Sequence, residues 1–368
     1  MSKLKVYIDT TSWFIRPKNT DWLYMHWLNQ MSDYVPVEFV YEFNLKEIVS
    51  ESFNYVSERF RPRFMNAGYK EEDRYVRQTH SRIISKGLAD VVFSHSRFPV
   101  LKSDVPVVWF YGVVDPAMQI ARGATVSEID KQYFFQGDCF RKSAKALQPT
   151  KAQMNRHAAY YPDLKDKFTY APFFLPGIKR LSVKDVTAKQ QGGSKIRLLF
   201  VGREGKRKGL DILVKALSML DKSERKNFAL EVVCAMSDGL ISLESGVDTK
   251  WHKSLPRNKV LDLMRSAHVF VMPSRFESYG FTFIEALASG CVVIGPNWEA
   301  QNEILDFGLS GINVSTSASC ICSSLKSLLD WKIRSRLALS GLEKFQKEYS
   351  PENVSQLHMD VFESAIAR

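Results

Sequence analysis

Glu277 and Glu285, eight positions apart, are the side chains whose type and setting point most directly to chemistry. They lie inside PSRFESYGFTFIEALASGCVVIG, residues 273–295. The run before it, HVFVM (268–272), is short, apolar and β-rich, which predicts a buried strand. A loop then opens at Pro273. Gly280 supplies a turn, Thr282-Phe283-Ile284-Glu285 has the Thr-x-x-Glu spacing of a capping box, and Gly290 is placed to end the helix that follows. A strand, a loop and a helix start in this order set free backbone N–H groups and the positive helix end at the carboxyl edge of a sheet, where phosphates bind. Two carboxylates there would repel such an anion, but they suit the hydroxyls of a sugar. Taken singly, each has a plainer reading: Glu285 closing the capping box, Glu277 a solvated loop charge.

A second segment has complementary chemistry. KIRLLFVG (195–202) predicts a strand, and Arg203, Lys208 and Gly209 precede an amphipathic stretch, LDILVKALSML. Cations at a strand end beside a helix start suit a diphosphate, because Arg bonds two oxygens at once and Lys adds a point charge. The spacing is not that of a Walker loop, which needs four residues between its glycines and then Lys-Ser or Lys-Thr. Alone, GREGKRKG also reads as a solvated basic turn.

Together the Pro-Ser, both glutamates, Tyr279-Gly280, the Glu-Ala-x-Ala-x-Gly run and the Arg-x4-Lys-Gly segment resemble the signatures of retaining glycosyltransferases of the GT-B fold, most closely family 4. That resemblance implies an α/β architecture of two Rossmann-like domains facing each other across a cleft. It implies a donor sugar held by Glu277 and the ribose of a nucleotide held by Glu285. Arg203 and Lys208 would hold the donor diphosphate, with N–H groups around Gly280, Phe281 and Thr282 beside it. His95, in DVVFSHS, matches the position where relatives often keep a histidine near the donor sugar; a packed or solvent-facing histidine is the plain alternative. The expected enzyme is metal-independent and needs no cofactor, the nucleotide-diphosphate sugar being its donor substrate. Retention is implied by the resemblance alone, and no nucleophile is assignable.

The elements that must position these groups alternate between strand and helix, the pattern of parallel sheets covered on both faces. KVYID (5–9), VEFVYEF (37–43), DVVFSH (90–95), VPVVWFY (105–111) and KALQPT (145–150) predict strands in the first half. KIRLLFVG, ALEVVCA (229–235), HVFVM and CVVIG (291–295) predict them in the second. The composition turns polar after residue 178, giving an acceptor domain over 1–178, a linker over 179–194 and a donor domain over 195–350. The last helix, 351–368, is expected to return to the first domain, with Pro351 suited to its start.

Of 368 residues, 45% are apolar and 25% charged, enough for two cores and unlike a disordered chain. Five cysteines without CxxC spacing fit a reducing compartment and make no zinc pattern. No run approaches the roughly 20 apolar residues of a membrane span, and the N-terminus lacks a signal-peptide core, so a cytoplasmic location is expected. The net charge of +11 has its densest excess over 59–86, where Arg59, Arg61, Arg63, Arg74, Arg77 and Arg82 alternate with Phe60, Phe64, Tyr69 and Tyr75. Such a surface suits an anionic membrane or glycan, and the expected location extends to the inner membrane face. No nucleic-acid motif is present. Asp9 and Asp115 are further candidates for acceptor contacts.

Two features depart from the family pattern. The loop DTTSWFIRPKNTDW after the first strand has no glycine, so Thr10, Thr11 and Ser12 are the groups left to approach a phosphate; CAMSDG (234–239) stands where a Gly-x-Gly-like turn is usual. The leading expectation is transfer of a sugar from a nucleotide-diphosphate donor to a glycan or lipid-linked acceptor in cell-surface polysaccharide or glycolipid synthesis. A non-catalytic GT-B subunit that binds glycan or a partner enzyme is the alternative.

Overall fold

The structure, a computed structural model, describes residues 3–9, 29–40, 89–94, 105–110, 116–235 and 245–367. His95, Thr10, Thr11, Ser12, Asp115, the basic segment 59–86 and residues 236–239 lie outside the described residues, as does the side chain of Asp9. The chain divides into two compact units. Unit 1 comprises residues 1–114, 123–176 and 351–368, and unit 2 comprises 115–122 and 177–350.

Unit 1 is built on β1 (Leu4–Asp9), β2 (Val37–Val40), β3 (Val91–Ser94), β4 (Val107–Phe110), β5 (Lys145–Gln148) and β6 (Phe168–Tyr170). They form one parallel sheet in the order β2-β1-β3-β4-β5-β6. All four residues of β4 are buried because neighbouring side chains point to opposite, equally covered faces. Trp109 packs edge-on against Phe140 of α1 (Val126–Lys142), with ring centroids 4.9 Å apart. Its neighbour Phe110 meets His358 of the C-terminal helix Pro351–Ile366, and Phe93 meets Phe362 of the same helix at 5.6 Å. That helix therefore belongs to the core of unit 1. After β5 the chain enters α2 (Lys151–Tyr160), capped by Thr150 through the Gln153 N–H.

Unit 2 has a second parallel sheet, of β7 (Ile196–Val201), β8 (Phe228–Val233), β9 (Asp248–His252), β10 (Val269–Val271), β11 (Val292–Pro296) and β12 (Ile312–Val314). Their order is β12-β11-β10-β7-β8-β9, the doubly wound order of a dinucleotide-binding sheet read from its other edge. Three strands absent from the sequence reading, β6, β9 and β12, are all edges. An edge strand is covered less completely, and β9 (DTKWH) has no fully buried residue, so it carries no apolar run.

Residues 179–194, expected as a linker, contain a helix, α3 (Val183–Gln191), capped by Ser182 and fixed to unit 2 by polar contacts. Gln190 Nε2 donates to the carbonyls of His268 and Gly290, each at 3.0 Å. Lys189 Nζ donates to Ser289 O at 2.6 Å, and Arg334 donates to Gln190 O at 2.8 Å. His268 joins the same seam, accepting the Arg197 N–H at Nδ1 (2.9 Å) and donating from Nε2 to Gly192 O (3.1 Å).

Three histidines are buried in the neutral form. Burial pulls His268 and His358 each down to about 4 and His157 to about 3, with Arg197 and Arg156 adding to it at His268 and His157. In the unfolded chain these groups take up protons near the ordinary value of about 6.5. A depressed folded value gives stability that is present above about pH 6.5 and lost as the pH falls towards about 4. The urea midpoint should therefore drop between about pH 7 and about pH 5, and His358→Leu should reduce that slope. A midpoint that stays flat over this range would contradict the burial of neutral imidazoles.

Candidate functional site

The strand order of unit 2 reverses direction between β7 and β10, which lie side by side. At such a reversal the connections leaving adjacent strand ends go to opposite faces of the sheet and open a crevice at its carboxyl edge. The two connections here are residues 202–209 and 272–280, the two segments that carry Arg203 with Lys208 and Glu277.

Paired arginines hold these loops together. Arg275 N donates to Arg207 O at 2.9 Å, and its guanidinium makes a two-pronged contact with Asp211, at 2.8 and 2.7 Å. Arg207 in turn donates from Nη1 to Phe276 O (3.0 Å) and grips Glu204 through Nε and Nη2 (3.0 and 3.1 Å). The ring of Phe276 also lies under the Arg122 guanidinium, 5.7 Å from its centroid. Close approach is possible because Gly209 joins α4 (Gly205–Lys208) to α5 (Leu210–Ser218) at φ +80, with its α-carbon against Pro273; a Cβ would overlap the Pro273 carbonyl oxygen.

Lys208, one residue earlier, turns its ammonium onto Glu277 Oε2 in an ion pair with only 13% and 9% of the two side chains exposed. Glu277 is buttressed from the other side by Gly280, whose φ is +86. A Cβ at Gly280 would lie 3.2 Å from Glu277 Cγ and would collide with the ring of Phe283. Gly280 is the N-cap of α7 (Phe281–Ala288).

The helix start differs from the expected capping box. It begins at Phe281, so Thr282 is its second residue and Glu285 its fifth, two positions beyond the place from which a glutamate reaches back to the cap. Gly280 in the left-handed conformation replaces a side-chain cap, Thr282 Oγ1 turns towards Met272 Sδ at 3.9 Å, and the Phe283 N–H is taken by Gly280 O at 3.0 Å. Gly290 ends the segment as expected, its N–H bonded to Leu287 O.

Freed from capping, Glu285 is 6% exposed and accepts from Arg257 Nε at 2.9 Å. Arg257 is the first residue of α6 (Arg257–Ser266). Burial raises the Glu285 pKa, and the charge and hydrogen bond of Arg257 oppose that rise. Its second oxygen, Oε2, accepts no hydrogen bond from any described residue. The four groups singled out at first thus form a more particular arrangement. Lys208 and Glu277 meet, Glu285 pairs with Arg257, and the side chain of Arg203 is exposed and outside any ion pair among the described residues.

Sequence reasoning did not find Arg207, Asp211, Arg257, Arg275 or Arg122. Arg275 and Asp211 had a local signal, each two residues from a singled-out position. Arg257 had none, since it enters from a helix 28 residues upstream of Glu285.

Two outcomes follow. Gly209→Ala, with a disfavoured φ and a backbone collision, should destabilise unit 2 by about 3 kcal/mol; an unfolding midpoint unchanged from the parent would refute the close approach. Truncating either Lys208 or Glu277 leaves a buried charge unpaired and should cost about 3 kcal/mol, whereas the double variant K208M/E277L should recover most of that loss. Additive losses in the cycle would mean the two side chains do not interact.

Residues 184–335 match the profile of the family described as glycosyl transferases group 1. An uncharacterised 41.2 kDa protein in the cps region of Klebsiella pneumoniae is 32% identical over 155 residues, covering 41% of this chain and 42% of that protein. The lipopolysaccharide glucosyltransferase WaaG of Escherichia coli is 28% identical over 166 residues, 42% of this chain and 44% of WaaG. Each match therefore spans less than half the length of the curated relative. Among solved structures, WaaG aligns at a TM-score of 0.61 with 16% identity, covering 98% of this chain and 99% of that one. HepE from Anabaena in complex with UDP aligns at 0.65 with 11% identity, covering 99% and 100%. The resemblance drawn from the two signatures holds over residues 184–335, which lie in unit 2 and match the group 1 glycosyl transferase profile, and the two parallel-sheet units have the GT-B fold.

Proposed function

We propose that this chain is a retaining, family 4-type glycosyltransferase that moves a sugar from a nucleotide-diphosphate donor to a glycan or lipid-linked acceptor. The observation that carries the reading is the Lys208–Glu277 pair at the strand-order reversal, with Glu285 on the helix immediately after it. Lys208 has three donor hydrogens and uses one on Glu277, so the same ammonium can also bond a phosphate oxygen. Glu277, held by that pair, offers its other oxygen to a hydroxyl of the donor sugar. Glu285 Oε2 accepts from the ribose.

In glycosyl transfer the bond from the anomeric carbon to the diphosphate breaks through an oxocarbenium-like state while negative charge grows on the leaving group. Lys208, the exposed guanidinium of Arg203, and the first-turn N–H groups of α7 at Phe281 and Thr282 are placed to meet that charge. Two cations belonging to the chain supply the positive charge that a divalent ion supplies elsewhere, so transfer should persist in a chelator. His95 is proposed to lie near the donor sugar, following the family pattern.

The cps-region protein and WaaG, named for lipopolysaccharide glucosyl transfer, favour an acceptor in cell-surface polysaccharide or glycolipid synthesis. The UDP complex of HepE favours a nucleoside diphosphate as the donor's leaving group. Among the described residues no helix is long and apolar enough to cross a membrane. A lipid-linked acceptor would be reached from the cytoplasmic side, with the basic and aromatic segment 59–86 against anionic lipid. Co-sedimentation with liposomes that ignores anionic lipid content would remove that last element alone.

The test is a hydrolysis and transfer screen across UDP-, GDP- and ADP-sugars, with and without chelator. One donor should turn over, and Glu277→Gln or Lys208→Gln should lower the rate on the order of a hundredfold with the fold retained. Turnover unchanged in either variant would end the assignment, and a chain that binds none of the three nucleotides would instead be a non-catalytic subunit.

A further inference from the structure

Glu285 presents a chemical difficulty that the rest of the site does not share. A carboxyl group so deeply buried tends to hold its proton, and a protonated carboxyl has one fewer oxygen to offer as an acceptor to a ribose hydroxyl. Arg257 answers this by geometry, with its Nε 2.9 Å from Oε1, while Oε2 accepts no hydrogen bond from a described residue. The Arg257 side chain is 37% exposed and reaches a carboxylate side chain that is 8% exposed. The helices packed against α7 carry other charges. Lys259, Asp262 and Arg265 lie on α6, and Arg334 and Lys344 on α8 (Trp331–Lys344). Of all the described charged groups, Arg257 alone bonds Glu285. The nearest charge in sequence, Glu277, is paired with Lys208.

We infer that Arg257 is a specificity-determining positioning residue, which holds Glu285 ionised and oriented so that the site selects ribonucleoside over 2′-deoxyribonucleoside diphosphates. The inference rests on the ribose role given to Glu285 above. It extends that role to a residue 28 positions upstream that acts through Glu285. Arg257 fixes one oxygen of the carboxylate, and its charge and hydrogen bond favour the ionised form against burial.

Calorimetry on the full chain tests this with UDP and 2′-deoxy-UDP, and with the matching guanosine and adenosine pairs, from about pH 6 to about pH 8.5. The parent protein should favour the ribo form by about tenfold across the range, the size of one hydrogen bond to a charged group. In Arg257→Met the preference should weaken most at the low end of this range and recover towards its high end, as Glu285 gives up its proton. Arg257→Lys, which keeps a cation, should retain the preference throughout. In Glu285→Gln it should be absent at every pH.

A Met variant that weakens both nucleotides alike, without recovery at high pH, would show Arg257 to be merely structural and would overturn the inference while leaving the ribose role of Glu285 intact. A Glu285→Gln variant that keeps the ribo preference would overturn that role itself, and the inference with it. Should Arg257→Met fail to fold, Arg257→Lys decides: loss of preference at all pH values in that variant rules out the charge account. Failure of every nucleotide to bind the parent protein would also reject the inference.

Discussion

The approach of two loops at the β7/β10 reversal is the constraint on which the rest of unit 2 depends. Parallel strands with their order reversed bring the carboxyl ends of β7 and β10 together, but strand order alone leaves the loops free to splay. Gly209 removes the one atom that would hold them apart, and Arg207 with Arg275 ties each loop to the backbone of the other. Only then does Lys208 reach Glu277. The ion pair is thus a product of backbone proximity rather than its cause, consistent with the poor return that buried ion pairs give for their desolvation.

A second consequence of this arrangement is a division of labour among the charges. Arg207 and Arg275 are consumed in fastening the loops, each spread over a carboxylate partner, Glu204 or Asp211. Lys208 keeps unused donor capacity, and Arg203 makes no ion pair among the described residues. A basic run such as GREGKRKG therefore contains fasteners and prospective ligand-binding groups in alternation, and the helical turn at residues 205–208 sorts one from the other.

The sequence made the large outlines legible for identifiable reasons. Runs such as LLFV and VVWF are buried on both sides of a parallel sheet, so they are apolar throughout and stand out as strands. The edges β6, β9 and β12 do not, because solvent beside them admits Thr, Lys and Asn. In the site, the spacing from Glu277 to Glu285 was readable because both belong to one loop-helix unit. The Thr-x-x-Glu capping box does not form, since Gly280 can cap by its own conformation and starts the helix two residues early. Arg257 was invisible for a different reason: its relation to Glu285 exists only after two helices pack. Segment 179–194 looked like a linker because its helix α3 is polar, yet Gln190 and Lys189 spend that polarity on backbone carbonyls of unit 2.

The path of the chain has a bearing on how the protein is made. Unit 1 consists of three separated stretches, and the last of them, Pro351–Ile366, supplies Phe362 and His358 to the face of β3 and β4 that carries Phe93 and Phe110. Synthesis proceeds from the amino end, so every residue of unit 2 has left the ribosome before the aromatic face of the first sheet receives its cover. The earlier-made half is consequently the later one to finish folding, and until then Phe93 and Phe110 lack the cover of that helix.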